Sequence, residues 1–349
     1  MPSPLPVGRF RPRLSSPWFD AGGCSPCKSS SPPVSAAFRC AFSPAQDFSP
    51  PPAAAAAHDH RPGSVNLSAL SLQGRLGSGA FGRVFRGCYY GRPVAVKLLS
   101  PRGASSLHAE MNAAGLRHPN IARLLAASPR TLVLELAGPR SLQGLLYDEG
   151  DAPPVPFATR VAYARDVAEA LRFLHGRDIA HLDVKPGNVV LAPDGELCKL
   201  CDFGCSRRLN DGGEVPTRTD APGGGGTYTH RAPELLSGGV VTAAADVYSL
   251  AVTLWQLATR QAPYPGAEPH CVVYAVVARG ARPVFPAGFG ARGGDDPEAR
   301  VRDLVERGWA PRAGGRPRAG SVGVALGEIV TAARGGGGGG RGGGNGRVR

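Results

Sequence analysis

The sequence predicts an α+β fold in which a strand-rich part is followed by a helix-rich part. Strand-like segments crowd the stretch between residues 70 and 135, and apolar residues recur at helical spacing from residue 157 onward. Both patterns lie inside one stretch of regular apolar patterning, residues 64–334. With 42% hydrophobic residues among 349, the chain can bury a substantial core. We therefore expect one folded unit over residues 64–334, built from two lobes.

The two ends of the chain have a different composition. Residues 1–63 are rich in Pro, Ser and Ala, and residues 335–349 read GGGGGGRGGGNGRVR, so we predict disorder in both. No apolar run reaches the roughly 18 residues of a membrane span, and the N-terminus lacks the apolar segment of a secretory signal. We expect a cytoplasmic protein with reduced thiols and no membrane contact.

Strand signals dominate the first part of the unit. The stretch LQGRLGSGAFGRVFRGCYYGRPVAVKLL has β-branched and aromatic residues around a glycine cluster, and predicts strands joined by a turn at Gly91-Arg92-Pro93. A helical pattern, SSLHAEMNAAGLRH, follows and stops near Pro119. The segments IARLLAAS and TLVLEL predict two further strands.

Helical periodicity dominates the second part. The segment FATRVAYARDVAEALRFLHGR predicts a long helix, because its spacing places Val161, Ala164, Ala168, Leu171 and Leu174 on one face. The segments AAADVYSLAVTLWQLAT and EARVRDLVERGWA predict later helices.

The charge of the chain is strongly positive, at a formal +13. Such a charge makes nucleic acid a candidate partner. Only four of the 40 basic residues are lysines, however, and the arginines are spread along the chain instead of forming one stripe. This distribution favours compositional drift over a nucleic-acid surface. It also makes each lysine informative, because Arg and Lys are not interchangeable where a compact charge is needed.

Two pairs among the eight cysteines are spaced like half of a zinc site. Cys24 and Cys27 lie in a Pro/Ser-rich tract, whereas Cys198 and Cys201 lie in ELCKLCDFG, whose alternation predicts a strand. A closed zinc site needs four ligands brought together, so we predict against a joint metal site.

A glycine cluster provides the first chemical signal. Gly77, Gly79 and Gly82, followed by Val84, form the pattern G-x-G-x-x-G-x-V. A dinucleotide-binding fold places this pattern between a strand and a helix, but here strand-like residues lie on both sides. The context favours a hairpin folded over phosphates, whose backbone N–H groups can approach the ligand closely because glycine has no side chain.

A lysine ends the next predicted strand. Lys97 closes the segment VAVK, where an unpaired charge would be costly to bury. We interpret it as a cation for the α- and β-phosphates, oriented by Glu110, which is the only carboxylate in the following helical segment. The alternative is a surface lysine whose stem covers apolar side chains.

The segment DIAHLDVKPGN gathers three polar groups within six positions. Asp183 can accept a hydroxyl proton, Lys185 can neutralise a phosphate, and Asn188 can bind Mg²⁺. The later segment CDFGC adds Asp202, a second oxygen ligand for Mg²⁺. Each of these could alone be an ordinary turn residue. Their order and separation argue for a phosphoryl-transfer site.

These motifs together resemble the eukaryotic protein kinase family over residues 65–333. The segments GSGAFGRV, VAVK, HLDVKPGN, DFG and APE match the family pattern, with Glu110 between them. The resemblance implies the two-lobe protein kinase fold, with a small β-rich N-lobe, a larger helical C-lobe, and ATP with Mg²⁺ between them. Asp246 resembles the helix residue that braces the catalytic loop, and Arg316 resembles the arginine that pairs with Glu234.

The resemblance also implies a set of site residues in this chain. The nucleotide-binding set is Leu76, Gly77, Ser78, Gly79, Ala80, Phe81, Gly82, Arg83, Val84, Ala95, Lys97, Leu134, Glu135 and Leu136. The catalytic set is Asp183, Lys185, Lys97, Glu110 and Thr227, and the metal ligands are Asn188 and Asp202. Lys185 and Thr227 match serine/threonine kinases instead of tyrosine kinases.

Several segments narrow the resemblance to the Mos kinases, a germ-cell proto-oncogene family. They are HLDVKPGNV, DFGCSRRL, GGTYTHRAPELL, TLWQLATRQAPY and YAVVARGARP. This resemblance implies a MAP kinase kinase kinase that phosphorylates a MAP kinase kinase during oocyte maturation and metaphase II arrest. We expect a monomer whose partner is that protein substrate.

The chain departs from most kinases at Leu182, where they carry an arginine before the catalytic aspartate. That arginine usually binds a phosphorylated activation loop, so its absence predicts activity that does not wait for loop phosphorylation. Two other functions compete with an active kinase. A pseudokinase scaffold often lacks residues of the Lys97, Asp183 or Asp202 type, and all three are present here. RNA binding through the Arg/Gly tail is disfavoured because no aromatic residue interrupts the glycines.

Overall fold

The computed structural model of the chain describes residues 62–79, 81–101, 106–147, 154–216 and 228–335. Most of the two regions expected to be disordered lies outside these ranges. At the first boundary, the carbonyl of Gly63 accepts a hydrogen bond from the Ala127 N–H at 3.1 Å. At the second, the last helix ends at Gly335. The extent of the folded unit, 64–334, stays a prediction.

A five-stranded antiparallel sheet forms the first part of the fold. Its strands are β1 (Leu70–Gly79), β2 (Gly82–Tyr89), β3 (Arg92–Leu99), β4 (Leu124–Ser128) and β5 (Thr131–Glu135), in the spatial order β1-β2-β3-β5-β4. Alternation along β3 puts Val94 and Val96 into a small cluster on one face, with Val133 of β5. Ala95 and Lys97 consequently project from the opposite face, toward the helical part.

The turn between β2 and β3 differs from the predicted one. It consists of Tyr90 and Gly91, whose φ angles are 48° and 74°, whereas Arg92 and Pro93 already belong to β3 and pair with β2. Two positive φ angles are typical of the type I′ turn, whose twist matches that of the flanking strands. The predicted turn lies one residue too far along the chain, because the prediction relied on the proline as the turn signal.

The helix expected over SSLHAEMNAAGLRH is much shorter than predicted. Within the described residues, α1 (Leu107–Glu110) continues only as a 3₁₀ turn over Met111–Ala113. Ala114 is extended and Gly115 has a φ of 73°, so the helical backbone cannot continue to His118. The short helix still carries Glu110, which is the residue that the site requires.

Helices make up most of the second part. They are α2 (Leu142–Tyr147), α3 (Phe157–His175), α4 (Pro233–Leu236), α5 (Ala244–Thr259), α6 (Pro269–Ala278), α7 (Pro297–Gly308) and α8 (Ala319–Gly335). Short strands accompany them in three small sheets: β6 (Arg140–Ser141), β7 (Ile179–Ala180), β8 (Val189–Leu191), β9 (Cys198–Leu200), β10 (Arg207–Arg208), β11 (Glu214–Pro216) and β12 (Val240–Thr242). Proline occupies the first helical position of α4, α6 and α7, where its missing N–H costs nothing.

Helices α3 and α5 form the centre of the second part. All five residues predicted for the apolar face of α3 are buried in the main hydrophobic core. Helix α5 is buried along nearly its whole length, from Ala245 to Ala258. A helix that is apolar on all sides belongs in the middle of a core, and α5 accordingly packs against α3 and α7.

The architecture confirms the predicted two-lobe α+β fold, with the β-rich part first and the helical part second. Among the helices in the described ranges, none has the length and apolar character needed to cross a bilayer.

Candidate active site

Three charged side chains from three separate elements meet on the inner face of the sheet. Lys97 on β3 pairs with Glu110 on α1, and its Nζ also lies 2.7 Å from Oδ1 of Asp202. All three side chains are buried. The prediction that a carboxylate on the next helix orients Lys97 matches this geometry. The alternative of an exposed lysine does not, because only 4% of its side chain is exposed.

The pKa values of this cluster follow from burial and from the central cation. Burial tends to raise the pKa of Asp202, but Lys97 outweighs it and lowers that pKa from 3.8 to about 2. Burial raises the pKa of Glu110, against the opposing effect of Lys97. The pKa of Lys97 is raised, since its two carboxylates outweigh the cost of burying its charge. Lys97 and Asp202 therefore stay charged at neutral pH.

The glycine cluster forms the predicted hairpin between β1 and β2, with Gly79 paired to Gly82. A side chain at Gly82 would place its Cβ 2.1 Å from the carbonyl oxygen of Leu98, so only glycine fits this close approach of two strands. The ring of Phe81 lies 5.7 Å from Lys97 Nζ. Ala80, the remaining residue of the turn, lies outside the described residues.

An apolar cleft opens beside this cluster. Its lining includes five of the residues implied for nucleotide binding, which are Leu76, Ala95, Leu134, Glu135 and Leu136. A flat apolar slot with a few polar groups at its edge suits a purine base. The same cleft is also lined by five residues outside the implied nucleotide-binding set, which are Ala122, Ala137, Gly138, Val190 and Cys201.

The catalytic loop brings its three predicted residues into direct contact. Lys185 Nζ lies 2.8 Å from Asp183 Oδ2, and the Asn188 side-chain amide donates to the same oxygen at 2.7 Å. That amide also donates to the Asp183 carbonyl at 2.8 Å. These contacts fix the Asp183 carboxylate in one orientation, which a group that accepts a proton from a substrate hydroxyl needs.

Asn188 offers a test of whether the residues present suit a metal ion. Both bonds from its amide use the nitrogen, which leaves Oδ1 buried and without a hydrogen-bond partner among the described residues. An unpaired buried carbonyl oxygen is costly unless a ligand occupies its lone pairs. A hard cation such as Mg²⁺ prefers this oxygen, together with the ionised carboxylate of Asp202. The residues present therefore fit the predicted metal.

Asp246, on the buried helix α5, holds the start of the catalytic loop. Its carboxylate accepts hydrogen bonds from the N–H groups of His181 at 2.8 Å and Leu182 at 2.7 Å, and contacts His175 Nε2 at 2.9 Å. Leu182 has a φ of 64°, a left-handed conformation that costs a non-glycine residue about 1–3 kcal/mol. Asp246 offsets this cost, which agrees with the bracing role that the family resemblance implies. The Leu182 side chain points into the core.

We expect Asp246→Asn to lower the free energy of unfolding by about 3 kcal/mol, because the new amide puts a donor opposite a buried N–H donor. The loop should lose its orientation, and transfer should fall by about 100-fold. Urea unfolding and a transfer assay would measure both effects. Asp194→Asn is the matched control, since Asp194 caps an exposed turn and should change stability by less than about 0.5 kcal/mol. Equal stability of the two variants would contradict the bracing role.

A second ion pair joins the segment APE to the end of the fold. Arg316 Nη1 and Nη2 lie 2.6 Å and 2.8 Å from the two carboxylate oxygens of Glu234, in a bidentate pair. The same guanidinium donates to the carbonyls of Ala244 and Ala310. The partner that the family resemblance implied for Arg316 is therefore present.

Two further sequence expectations concern Thr227 and the cysteines. Thr227, implied to contact the catalytic aspartate and lysine, lies outside the described residues, as do Cys24 and Cys27. The thiols of Cys198 and Cys201 are buried, which raises their pKa values well above the usual range, and each donates to a backbone carbonyl. The described ranges contain no group of three or more His, Cys, Asp or Glu residues placed to hold a metal ion.

His181 is a site residue that the sequence analysis quoted without assigning a role. Burial lowers the pKa of its ring, so the imidazole is neutral. Nδ1 accepts the Asp183 N–H at 3.3 Å, and Nε2 contacts the Cys201 carbonyl at 3.2 Å. The ring also packs edge-on against Phe203, with centroids 4.9 Å apart. His181 thereby ties the catalytic loop to the segment that carries Asp202. The sequence does not indicate this role, because the partners of a single histidine cannot be identified from its position before Leu182.

Comparison with known proteins agrees with this geometry. The family model of the protein kinase domain matches residues 70–286. The Xenopus laevis serine/threonine-protein kinase mos is 43% identical over 340 residues, which cover 91% of this chain and 90% of that protein. The Sus scrofa proto-oncogene serine/threonine-protein kinase mos is 39% identical over 346 residues, covering 91% and 96%. The transforming protein mos of Moloney murine sarcoma virus is 37% identical over 347 residues, covering 91% and 88%.

The family pattern extends from the glycine hairpin through the APE segment, and the relatives match across nearly the whole chain. Protein kinases use ATP and Mg²⁺ and act on protein substrates. Because the protein kinase domain matches more than half of the chain and these relatives are more than 30% identical to it, the chain belongs to the Mos family of serine/threonine protein kinases.

Proposed function

We propose that this kinase transfers the γ-phosphate of ATP to a MAP kinase kinase, as a MAP kinase kinase kinase of oocyte maturation and metaphase II arrest. The observation that carries the chemistry is the set of buried ion pairs, Lys97 with Asp202 and Lys185 with Asp183, formed by the residues of the kinase motifs. The substrate and the cellular role rest on membership of the Mos family. We further propose that the chain acts in the cytoplasm and as a monomer.

Each residue of the site has a part in the proposed transfer. The substrate hydroxyl oxygen forms a bond to the γ-phosphorus while the bond between that phosphorus and the bridging oxygen breaks, so that ADP leaves with the electron pair. Asp183 accepts the hydroxyl proton, and Lys185 neutralises charge on the transferred group. Lys97 binds the α- and β-phosphates, held in place by Glu110. The cleft around Ala95 and Leu134 encloses the base.

The metal ligands in this proposal are Asn188 and Asp202. Mg²⁺, when bound, neutralises the phosphate charges that otherwise repel a nucleophile. The chain's own contribution is to keep the Asp202 carboxylate ionised, through Lys97, and to leave the buried Oδ1 atom of Asn188 without a hydrogen-bond partner.

The buried position of Leu182 supports a second element of the proposal, which is activity without phosphorylation of the activation segment. An arginine at this position would extend a charge toward a phosphorylated loop. Leu182 instead packs its side chain into the hydrophobic core and contributes only its backbone N–H, to Asp246. The loop is thus braced from α5 without a phosphate.

The test of the proposed substrate is transfer of labelled phosphate to a kinase-dead MAP kinase kinase. We expect label on serine or threonine with the wild-type chain, and at least about 100-fold less with Asp202→Ala, which removes one metal ligand. The wild-type chain should keep its rate after phosphatase treatment. No label above the Asp202→Ala background, with transfer to a general protein such as casein retained, would overturn the MAP kinase kinase assignment but not the kinase activity. A loss of rate after phosphatase treatment would overturn the proposal that activity does not need phosphorylation of the activation segment.

A further inference from the structure

The turn that follows Asp202 is bonded to the short helix α1 through one serine hydroxyl. Ser206 Oγ donates to the Ala109 carbonyl at 2.8 Å, and it accepts a hydrogen bond from Asn112 Nδ2 at 3.0 Å. Ala109 belongs to α1, and Asn112 belongs to the 3₁₀ turn that directly follows this helix. Ser206 and Asn112 are both buried, although they are 94 positions apart in sequence.

The Ser206 hydroxyl acts as donor and acceptor at the same time. A backbone carbonyl can only accept, so the hydroxyl proton is committed to Ala109. The hydroxyl oxygen can then offer only lone pairs to Asn112, which must approach with its amide nitrogen. The Ala109 carbonyl lies in the last turn of α1, where regular helical hydrogen bonding ends. Serine therefore satisfies two groups of the neighbouring element at once, which alanine cannot do.

The position of Ser206 is tied closely to that of Asp202. The Ser206 N–H donates to the Phe203 carbonyl at 2.9 Å, which closes a tight turn. Within this turn, the Gly204 N–H donates to Asp202 Oδ1 at 3.3 Å. A Cβ atom at Gly204 would lie 3.3 Å from Glu110 Oε1, so the turn and α1 are in close contact. A movement of α1 would therefore have to break the Ser206 bonds or carry the turn with it.

Helix α1 has little stability of its own. It has four residues, and a helix of that length does not persist in water without tertiary contacts. It nevertheless carries Glu110, whose pairing with Lys97 the proposed transfer requires. The Glu110 carboxylate also accepts a hydrogen bond from the Phe203 backbone, but this contact belongs to the charged cluster itself. The bonds of Ser206 add an attachment of α1 that does not depend on those charges.

We propose that Ser206 and Asn112 are positioning residues of the kinase site. Together they form a latch that holds α1 against the turn after Asp202, and so keeps the Lys97–Glu110 pair formed before ATP binds. The latch consists of neutral groups and needs no phosphate on the activation segment. The inference deepens the proposed function, because it names what holds the site in place without a phosphorylated loop. It rests on the kinase activity of the chain and not on the identity of the protein substrate.

The test measures steady-state kinetics of the full chain with casein and with a kinase-dead MAP kinase kinase. Ser206→Ala removes the partner of the Asn112 amide and of the Ala109 carbonyl, so α1 should leave the turn in most molecules that hold no ATP. If about one molecule in ten keeps the Lys97–Glu110 pair, the apparent affinity for ATP falls by the same factor. We expect the KM for ATP to rise about tenfold, while kcat at saturating ATP and the KM for the protein stay within about twofold of wild type.

Two further variants show whether the two residues act as one latch. Asn112→Leu has nearly the same size but donates no hydrogen bond, and we expect it to raise the KM for ATP about fivefold. The double variant should not exceed Ser206→Ala, because that change already opens the latch. Two independent effects would instead multiply, to about fiftyfold. Ser321→Ala makes the serine change at an exposed position of α8 and serves as the matched control, with an unchanged KM for ATP.

The KM for ATP separates a positioning role from a merely structural one. A structural role would lower kcat in proportion to the folded fraction and leave the KM for ATP unchanged. Should Ser206→Ala fail to fold, Asn112→Leu carries the test, because it leaves the bond between Ser206 and Ala109 in place. An unchanged KM for ATP in the variant that folds would overturn the inference. A rise in the double variant equal to the product of the two single rises would do the same.

Failure of the proposed function would give a different result. Binding of a fluorescent ATP analogue yields dissociation constants without any transfer, and we expect Ser206→Ala to bind it about tenfold more weakly than the wild type. Transfer by the wild type to casein alone would count against the MAP kinase kinase as substrate and not against the latch. Transfer to neither protein would overturn the proposed activity, whereas the ratio of dissociation constants would still decide whether the latch exists.

Discussion

Replacing Lys97 with methionine is expected to abolish measurable transfer and to lower the free energy of unfolding by about 3–5 kcal/mol. Lys97 is the only cation paired with the buried carboxylates of Glu110 and Asp202 in the described site. Methionine preserves most of the side-chain volume, so the loss comes from two carboxylates that remain buried without an opposite charge. The phosphates of ATP would also lose their cation.

The loss of stability should depend on pH in a defined direction. In the variant the main charge that opposes burial is gone, so we expect the pKa values of both carboxylates in the folded state to rise above their ordinary values of 3.8 and 4.5. The folded state then binds more protons than the unfolded state above that range, so stability falls as the pH rises from about 5. In the wild type, the lowered pKa of Asp202 gives the opposite slope, with stability lost as the pH falls from 3.8 toward about 2.

Denaturant unfolding at about pH 5 and about pH 8 would measure this difference. Lys199→Met is the matched control, because Lys199 pairs with the partly exposed Glu135 at 2.8 Å and should contribute less than about 1 kcal/mol. We expect the Lys97→Met midpoint to be lower at the higher pH. A midpoint that is the same at both pH values would contradict the role of Lys97 as the charge partner of the two buried carboxylates.

The second large effect is expected from Asp183→Asn. The asparagine has the same shape and can still lie near Lys185 and Asn188, but it cannot accept the proton of the substrate hydroxyl. General base catalysis of this kind contributes about 10²–10⁴-fold, so transfer should fall by that factor. ATP binding should stay within about twofold of wild type, as measured with a fluorescent nucleotide analogue, because Asp183 contacts the hydroxyl and not the base or the α- and β-phosphates.

Much of the fold could be predicted because its periodic signals are local. The apolar face of α3 and the strand patterns of β3 and β5 come from residues close together in sequence, and the structure has them. The helix predicted over SSLHAEMNAAGLRH is only Leu107–Glu110 in the structure, because its end is decided by backbone geometry at Ala114 and Gly115, which composition does not reveal. The hairpin turn moved by one residue for a similar reason, since a tyrosine adopts positive φ there.

The chemical side chains of the site could be predicted because kinase motifs have ordered spacings. Lys97 and Asp202 are 105 residues apart in sequence, yet each lies in a recognisable motif. Some of the residues that hold those motifs in place could not be predicted in the same way. His181, for example, contacts the Asp183 N–H and the distant Cys201 carbonyl, and a lone histidine in sequence does not indicate its partners. Tertiary structure alone brings them together.

The central claim is that one phosphotransfer site is formed by Lys97, Asp183, Asn188 and Asp202. Its most direct test compares the wild-type chain with Asp183→Asn in the transfer of labelled γ-phosphate from ATP to a protein serine or threonine. Both proteins would be purified identically, matched for ATP binding, and assayed in excess Mg²⁺ with casein and with a kinase-dead MAP kinase kinase. We expect label on serine or threonine with the wild type and a rate at least about 10²-fold lower with the variant. Equal transfer by the two proteins would show that Asp183 is not the base and would contradict the proposed site.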